Sequence, residues 1–188
     1  APAILAAALF EYRKNPDAIL VVAPSDHVIN NVDAFQLAIE EAYKVALDGQ
    51  LVTFGIKPTH PETGFGYLEL SKISTTQAVP LKAFVEKPDL TNAEKMFQSG
   101  NFLWNSGIFL FQAKDIIEAF KKYSPPDLDA VNLSLTNSNN DLGFCRLNLT
   151  DWVKTENISI DYAIMEKSDN LSVVPFSAGW SDLGGWDA

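Results

Sequence analysis

The stretch ILVVAPSDH, residues 19–27, constrains the fold more than any other part of the sequence. Its run of apolar, largely β-branched residues predicts a strand buried on both faces, and Pro24 ends that strand because proline cannot continue a ladder. Asp26 and His27 then follow the carboxyl end of what we expect to be a central strand. Open α/β sheets bind ligands at that edge, so the sequence predicts a binding crevice there.

The rest of the chain alternates strand and helix patterns, which predicts an α/β fold. We expect one helix to run from the start of the chain to about Asn15, and a second to be capped by Asn30 or Asn31 and stopped by Gly49. Further strands are expected over residues 51–56, 66–73, 80–87 and 171–176, and further helices over 92–98 and 113–123. The two middle strands alternate like partly exposed strands, so we expect a mixed sheet. The polar segment 135–143 is expected to be a mobile loop.

Composition narrows the class of protein. A chain of 188 residues that is 47% hydrophobic and 20% charged is typical of one globular domain, which we expect to cover residues 1–188. Its net charge of −10 argues against binding to nucleic acid or to an anionic membrane, and implies that phosphate chemistry here needs a cation. The single cysteine, Cys145, suits a reducing cytoplasm. The apolar opening is too short to span a membrane, and the missing initiator Met leaves a longer parent protein open.

Two loops carry candidate ligand-binding residues by type alone. In GFGY, residues 64–67, two glycines let backbone N–H groups approach a ligand, although a plain turn explains them as well. In FVEKP, residues 84–88, Glu86 and Lys87 end a strand. Adjacent strand residues point to opposite faces, so we do not expect a mere local ion pair between these two, and by residue type alone a solvated strand end is the simpler explanation.

The last stretch, WSDLGGWDA, holds Asp182 in a tight turn walled by aromatic residues. We expect Asp182 and Asp26 to meet at one edge of the sheet. Two converging carboxylates repel each other unless a cation lies between them. Mg²⁺ takes one or two carboxylates and completes its shell with phosphate oxygens and water, so this pair predicts a magnesium site.

Six ordered motifs together resemble sugar-phosphate nucleotidyltransferases, and specifically the mannose-1-phosphate guanylyltransferases. They are PSDHVI, GFGYLE, FVEKPD, WNSGIFLF, ISIDYAIMEKS and WSDLGGWDA. The resemblance implies a Rossmann-like nucleotidyltransferase fold with a mixed sheet. It also implies Mg²⁺-dependent transfer from GTP to mannose 1-phosphate, giving GDP-mannose and pyrophosphate in the cytoplasm. A homo-oligomer is left open.

The resemblance further implies roles for single residues around the reacting phosphates. Asp26 and Asp182 resemble the two metal-binding aspartates of the family. Lys87 resembles the lysine that contacts the phosphate of the sugar substrate, and Glu86 the acid that binds sugar hydroxyls. We expect His27, beside a metal-binding aspartate, to play a supporting or structural part rather than to transfer a proton.

Other residues match the family around the sugar and the base. Gly66 and Asn105 resemble contacts to the hexose, and Asp161 belongs to a further family motif. The sequence around Asp161 also fits the capped start of a helix with Tyr162 in the core. The opening APA resembles the end of a segment near the base, so Ala1 and Pro2 are expected to border the nucleotide.

One departure from the family is large. Its members begin with a glycine-rich basic loop, GGxGxRLxPLS, which cradles the triphosphate, and these 188 residues contain no such sequence. We therefore expect an N-terminally incomplete fold. Two alternatives stay open: a non-catalytic nucleotide-sugar-binding or regulatory subunit, and a transferase for another sugar 1-phosphate. Family members are often fused to a mannose-6-phosphate isomerase domain, so a parent with both activities is also open.

Overall fold

The computed structural model describes residues 1–177 and 179–184, and the chain forms two compact units. The first, the helical unit, contains Ala1–Ala18 and Gln112–Ser168. The second, the sheet unit, contains Ile19–Phe111 and Asp169–Ala188. The strands are Ile19–Val22 (β1), Val28–Ile29 (β2), Leu51–Ile56 (β3), Tyr67–Leu70 (β4), Val79–Val85 (β5), Phe102–Gln112 (β6), Asn139–Asp141 (β7), Phe144–Arg146 (β8), Leu171–Pro175 (β9) and Trp180–Ser181 (β10). The helices are Pro2–Lys14 (α1), Val32–Ala46 (α2), Leu90–Ser99 (α3), Ala113–Tyr123 (α4), Pro125–Thr136 (α5), Leu149–Trp152 (α6) and Ile160–Ala163 (α7), followed by a 3₁₀ turn at Met165–Lys167.

A mixed sheet forms the centre of the sheet unit. Within the described residues it has six strands in the order β1-β6-β3-β9-β5-β4, and β6 also pairs with β4. β3 and β9 are parallel, whereas the pairs of β3 with β6, β4 with β5 and β5 with β9 are antiparallel. The expectation of a mixed rather than a parallel sheet is thus confirmed.

The expectation of a central strand at residues 19–23 is wrong. β1 lies at an edge of the sheet in the described part of the chain, and Val21 is 47% exposed there. An edge strand has one paired neighbour, so an apolar run does not by itself prove burial on both faces. The inner strand β3 does have that pattern, with its first five residues buried.

Helix α2 covers one face of this sheet and follows the predicted spacing. The Asn31 side chain caps it by accepting a hydrogen bond from the Ala34 N–H at 3.0 Å. Its buried alanines pack with Phe54 of β3 and Phe176, which follows β9. Small residues on the helix let it approach the sheet closely, and this packing fixes the start of α2 just after β2.

The helical unit contains one helix that was not predicted from the sequence. α4 matches the predicted helix 113–123, but the Pro125-Pro126 pair begins another helix, α5, because proline is tolerated in a first turn. The expected mobile loop at 135–143 is also wrong: α5 ends there and the hairpin of β7 and β8 begins. Among residues 1–177 and 179–184, no helix is long and apolar enough to cross a bilayer.

Candidate active site

A short strand pair in the sheet unit carries both predicted metal-binding aspartates. β2 and β10 run antiparallel, with Val28 opposite Ser181. Continuing this register by one position sets Asp182 opposite His27, the neighbour of Asp26. Opposite residues in an antiparallel pair have Cα atoms about 4.5–5.5 Å apart. The structure therefore brings Asp26 and Asp182 to the same end of one ladder, although they are remote in the sequence.

The turn after β10 holds the Asp182 carboxylate through backbone contacts. Asp182 Oδ1 accepts a hydrogen bond from the Gly184 N–H at 3.1 Å, and Ser181 Oγ accepts one from the Leu183 N–H at 3.1 Å. A Cβ added at Gly184 would lie 2.8 Å from Asp182 Oδ2, so glycine gives the carboxylate its room. Trp180 precedes this turn in the chain, and Trp186, which follows it, lies outside the described residues.

The donor set of this turn fits Mg²⁺. In residues 1–177 and 179–184, groups of three or more His, Cys, Asp or Glu side chains that could hold a metal are absent. Asp26 and Asp182 would offer two carboxylates, and substrate phosphates and water would complete an octahedral shell, which is the arrangement that Mg²⁺ favours. The metal role of Asp26 and Asp182 stays a prediction.

Three of the predicted sugar contacts converge in one cluster. The Asn105 N–H donates to the Gly66 carbonyl at 2.8 Å. A Cβ added at Gly66 would lie 2.5 Å from Glu86 Oε2 and 3.4 Å from the Asn105 Cβ. Thr53 Oγ1 donates to Asn105 Oδ1 at 2.8 Å, which fixes the orientation of the amide. We call Gly66, Glu86 and Asn105 the sugar wall.

Lys87 adjoins the sugar wall through an ion pair that the sequence analysis did not expect. Its Nζ lies 3.3 Å from Glu86 Oε1, and the lysine side chain is 58% exposed whereas that of Glu86 is 8% exposed. The strand argument failed because β5 ends at Val85 and Lys87 adopts a left-handed backbone with φ of 46°. The buried carboxylate thus holds an ammonium group that still faces solvent, where a phosphate can reach it.

The loop before Gly66 is ordered by its own hydrogen bonds. Glu62 Oε1 accepts from the Gly64 N–H at 2.8 Å, and this bond lowers the pKa of the Glu62 carboxyl, with a smaller contribution from His60. The Glu62 N–H donates to the Tyr67 hydroxyl at 2.9 Å. His60 also meets the Trp104 ring edge-on, with centroids 5.0 Å apart.

The remaining predicted residues, Ala1, Pro2 and Asp161, belong to the helical unit. Asp161 lies in α7. Burial lowers the pKa of the Ala1 amino group, and the negative charges of Asp127 and Asp161 offset part of that shift. Ser159 caps α7, as the helix-start reading predicted, but Tyr162 is 43% exposed and does not pack in the core. The expected contacts of these residues to substrate stay predictions.

The sequence analysis missed the partner of His27. The Trp180 indole N–H donates to His27 Nδ1 at 3.2 Å, with the rings edge-on at 5.4 Å. Phe65, beside Gly66, also meets Trp180 edge-on at 5.5 Å. Periodicity carries no signal for such contacts, because the three residues come from separate loops and strand ends.

Comparison with known proteins decides the family. The model of the nucleotidyl transferase family matches residues 1–188. The chain belongs to the nucleotidyl transferase family. This nucleotidyl transferase is 45% identical over 188 residues to xanthan biosynthesis protein XanB of Xanthomonas campestris pv. campestris strain B100. It is 42% identical over 190 residues to mannose-1-phosphate guanylyltransferase RfbM of Salmonella typhimurium. Both matches cover 100% of the chain but 40% of the relative, so the chain spans about two fifths of their length.

Solved structures agree with the fold of this nucleotidyl transferase. A Helicobacter pylori protein named mannose-6-phosphate isomerase matches with a TM-score of 0.86 and 34% identity, over 96% of this chain and 69% of that one. A Thermus thermophilus protein named mannose-1-phosphate geranyltransferase matches with a TM-score of 0.83 and 30% identity, over 98% and 52%. The predicted mixed-sheet nucleotidyltransferase fold and the family resemblance are confirmed.

Proposed function

We propose that this nucleotidyl transferase moves the guanylyl group of GTP onto mannose 1-phosphate, giving GDP-mannose and pyrophosphate. The single observation that carries the proposal is the sugar wall beside Lys87, which sets hydroxyl-binding groups next to a phosphate-binding cation. The names of relatives such as RfbM, a mannose-1-phosphate guanylyltransferase, support the same substrate pair. Because GTP and sugar phosphates are cytoplasmic metabolites, we place the reaction in the cytoplasm.

The sugar wall supplies the groups that a hexose needs. The Glu86 carboxylate accepts hydrogen bonds and donates none, so it suits a pair of sugar hydroxyls. Asn105 adds an amide whose orientation is fixed by Thr53. Gly66 brings backbone to within van der Waals distance of both, so the three groups form one polar surface. Lys87 would bind the phosphate as a point charge at the edge of this surface.

The chemistry that fits these groups is an in-line displacement. A phosphate oxygen of mannose 1-phosphate attacks the α-phosphorus of GTP, a new P–O bond forms, and the bond to the leaving pyrophosphate breaks. Both reactants are anions, so the protein must hold them together against their repulsion. Lys87 offsets charge on the sugar phosphate and orients it, and no covalent nucleophile from the protein is needed.

Asp26 and Asp182 would hold Mg²⁺ beside these reactants. When bound, the ion supplies positive charge that stabilises the phosphate oxygens during transfer. The acidity of the chain makes this contribution important, since its net charge of −10 otherwise repels a nucleoside triphosphate. The two carboxylates serve by fixing the position of that charge.

Pyrophosphate release by the full-length protein tests the proposal. We expect release with GTP and mannose 1-phosphate in Mg²⁺, and much slower release when UTP or dTTP replaces GTP or when glucose 1-phosphate replaces the sugar. Faster release with another pair would reassign the substrates. No release with any pair, together with tight binding of a nucleotide sugar, would instead favour the non-catalytic binding subunit.

A further inference from the structure

The ladder of β2 and β10, which lies beside the two aspartates, is too short to be stable on its own. β2 and β10 contain two residues each. One further bond, from the Asn30 N–H to the Gly179 carbonyl at 3.3 Å, extends the pair. An isolated two-stranded ladder of this size is at best marginally stable in water. Other contacts must therefore fix Asp26 and Asp182 relative to each other.

Trp180 makes the contact that crosses this ladder. Its indole N–H donates to His27 Nδ1 at 3.2 Å, and the two rings meet edge-on at 83°. His27 directly follows Asp26, and Trp180 lies two residues before Asp182. Because an indole nitrogen only donates, His27 accepts through an unprotonated Nδ1 and carries its proton on Nε2. The bond therefore ties the backbone next to one aspartate to the strand that leads to the other.

The same tryptophan reaches the sugar wall. Phe65, the residue before Gly66, meets the Trp180 ring edge-on with centroids 5.5 Å apart. The body of Trp180 also packs, partly buried, against the core cluster that contains Phe54 and Phe176. Trp180 thus contacts the core, the partner strand and the loop that leads into the sugar wall.

We propose that Trp180 is a positioning residue that sets Asp26 and Asp182 against each other and against the sugar wall, through its bond to His27 and its contact with Phe65. The inference rests on the proposed function, because it assigns these groups to one active site. Trp180 itself touches no reacting atom. Its effect should therefore appear in kcat and in metal affinity rather than in sugar binding.

Trp104 provides a matched control within the same unit. It also meets the Phe65 ring edge-on, at 5.2 Å, and is 5% exposed. Its indole N–H is buried and has no hydrogen-bond partner among the residues that the structure describes. Trp104→Phe and Trp180→Phe therefore make the same change in ring size, but only the second removes a hydrogen bond.

The test compares these two variants of the full-length protein. We expect Trp180→Phe to lower kcat by about 10- to 100-fold, as displaced catalytic groups do, with the KM for mannose 1-phosphate within about threefold of wild type. We expect it to weaken Mn²⁺ binding, measured by electron paramagnetic resonance without substrates, by about three- to tenfold. Trp104→Phe should change neither quantity. His27→Asn, which keeps an acceptor near Nδ1, should retain more activity than His27→Ala.

The other outcomes separate a failure of this inference from a failure of the proposed function. A Trp180→Phe protein with near-normal kcat and Mn²⁺ affinity shows that the bond does not position the aspartates. If kcat and Mn²⁺ affinity fall equally in both tryptophan variants, the effect is due to ring size and not to the hydrogen bond. If wild type releases no pyrophosphate, the proposed function fails, and the Mn²⁺ titration still tests the role of Trp180. A wild-type protein that binds no Mn²⁺ overturns both.

Discussion

Replacing Gly66 by alanine tests the sugar wall without removing any functional group. The added Cβ would lie 2.5 Å from Glu86 Oε2, whereas ordinary contacts of this kind begin at about 3.4 Å. The carboxylate must therefore move by about 0.9 Å. Phe84 Cε1 at 3.3 Å and the Asn105 Cβ at 3.4 Å leave the new methyl group little room elsewhere. The change thus acts on the position of Glu86.

The expected loss follows from that displacement. A misplacement of about 1 Å costs up to about 100-fold in reactions that depend on orientation, so we expect the KM for mannose 1-phosphate to rise about 10- to 100-fold. The KM for GTP should stay within about twofold, because Gly66 belongs to the sugar side of the site. Overpacking should also lower the free energy of unfolding by about 1–3 kcal/mol. Steady-state pyrophosphate release and urea unfolding measure the two effects.

Gly64→Ala is the matched control from the same loop. Its Cβ would meet Glu62 Oε1 at 3.2 Å, and that side chain can shift toward solvent. We expect Gly64→Ala to keep a near-normal KM for the sugar. If both alanine variants behaved alike, or if Gly66→Ala bound mannose 1-phosphate as wild type does, the sugar wall would not be the hexose site.

Four further predictions concern single residues. Lys87→Met should raise the KM for mannose 1-phosphate at least about tenfold, because it removes the phosphate-binding charge. Lys82→Met removes a similarly exposed lysine from the same strand region and should leave this KM unchanged in the same assay. Gly184→Ala should displace the Asp182 carboxylate and weaken Mn²⁺ binding in a calorimetric titration. Asp182→Ala should lower turnover by about 10³-fold or more. Normal turnover in Asp182→Ala would remove the metal assignment. Burial raises the pKa of the Asp115 carboxyl, so its ionisation opposes folding once the pH rises through that raised pKa. Asp115→Asn should therefore unfold at a higher temperature than wild type at pH 7 and lose that advantage below the ordinary pKa of 3.8, where both forms are neutral; equal melting temperatures at pH 7 would contradict this.

The sequence was sufficient for the inner elements of the fold. β3 is a mostly apolar run and is buried, and the cap at Asn31 begins α2 as expected. The sequence did not predict the position of β1 in the sheet. An apolar run indicates that a strand is hydrophobic but not how many strands pair with it. The sequence also missed α5, since a proline pair is compatible both with the end of one helix and with the first turn of the next.

For the candidate site, the sequence indicated which residues matter but not how they contact one another. The convergence of Gly66, Glu86 and Asn105 was implied by a family resemblance, and the structure gives it distances. The Glu86–Lys87 ion pair was not expected, on the basis of a rule that holds only inside a strand. The rule fails here because Lys87 adopts a left-handed backbone conformation. Lysine disfavours that conformation, so the residue type did not predict it.

Two residues that are not glycine have a left-handed backbone conformation in the candidate site, one beside the sugar wall and one beside Asp182. They suggest a last test. Lys87 has a φ of 46° and Leu183, directly after Asp182, a φ of 52°. Such a conformation costs a side-chain-bearing residue about 1–2 kcal/mol, which glycine avoids. Leu142, 94% exposed at the tip of the β7–β8 hairpin with a φ of 49°, carries the same strain in the helical unit. Replacing either leucine by glycine removes this conformational cost. The free energy of unfolding should therefore rise by a similar amount in both variants. Turnover should fall only in Leu183→Gly, because only there does the freed backbone adjoin a carboxylate that we propose to bind the metal. Equal turnover in the two variants would show that the strain at Leu183 serves the turn alone and not the position of Asp182.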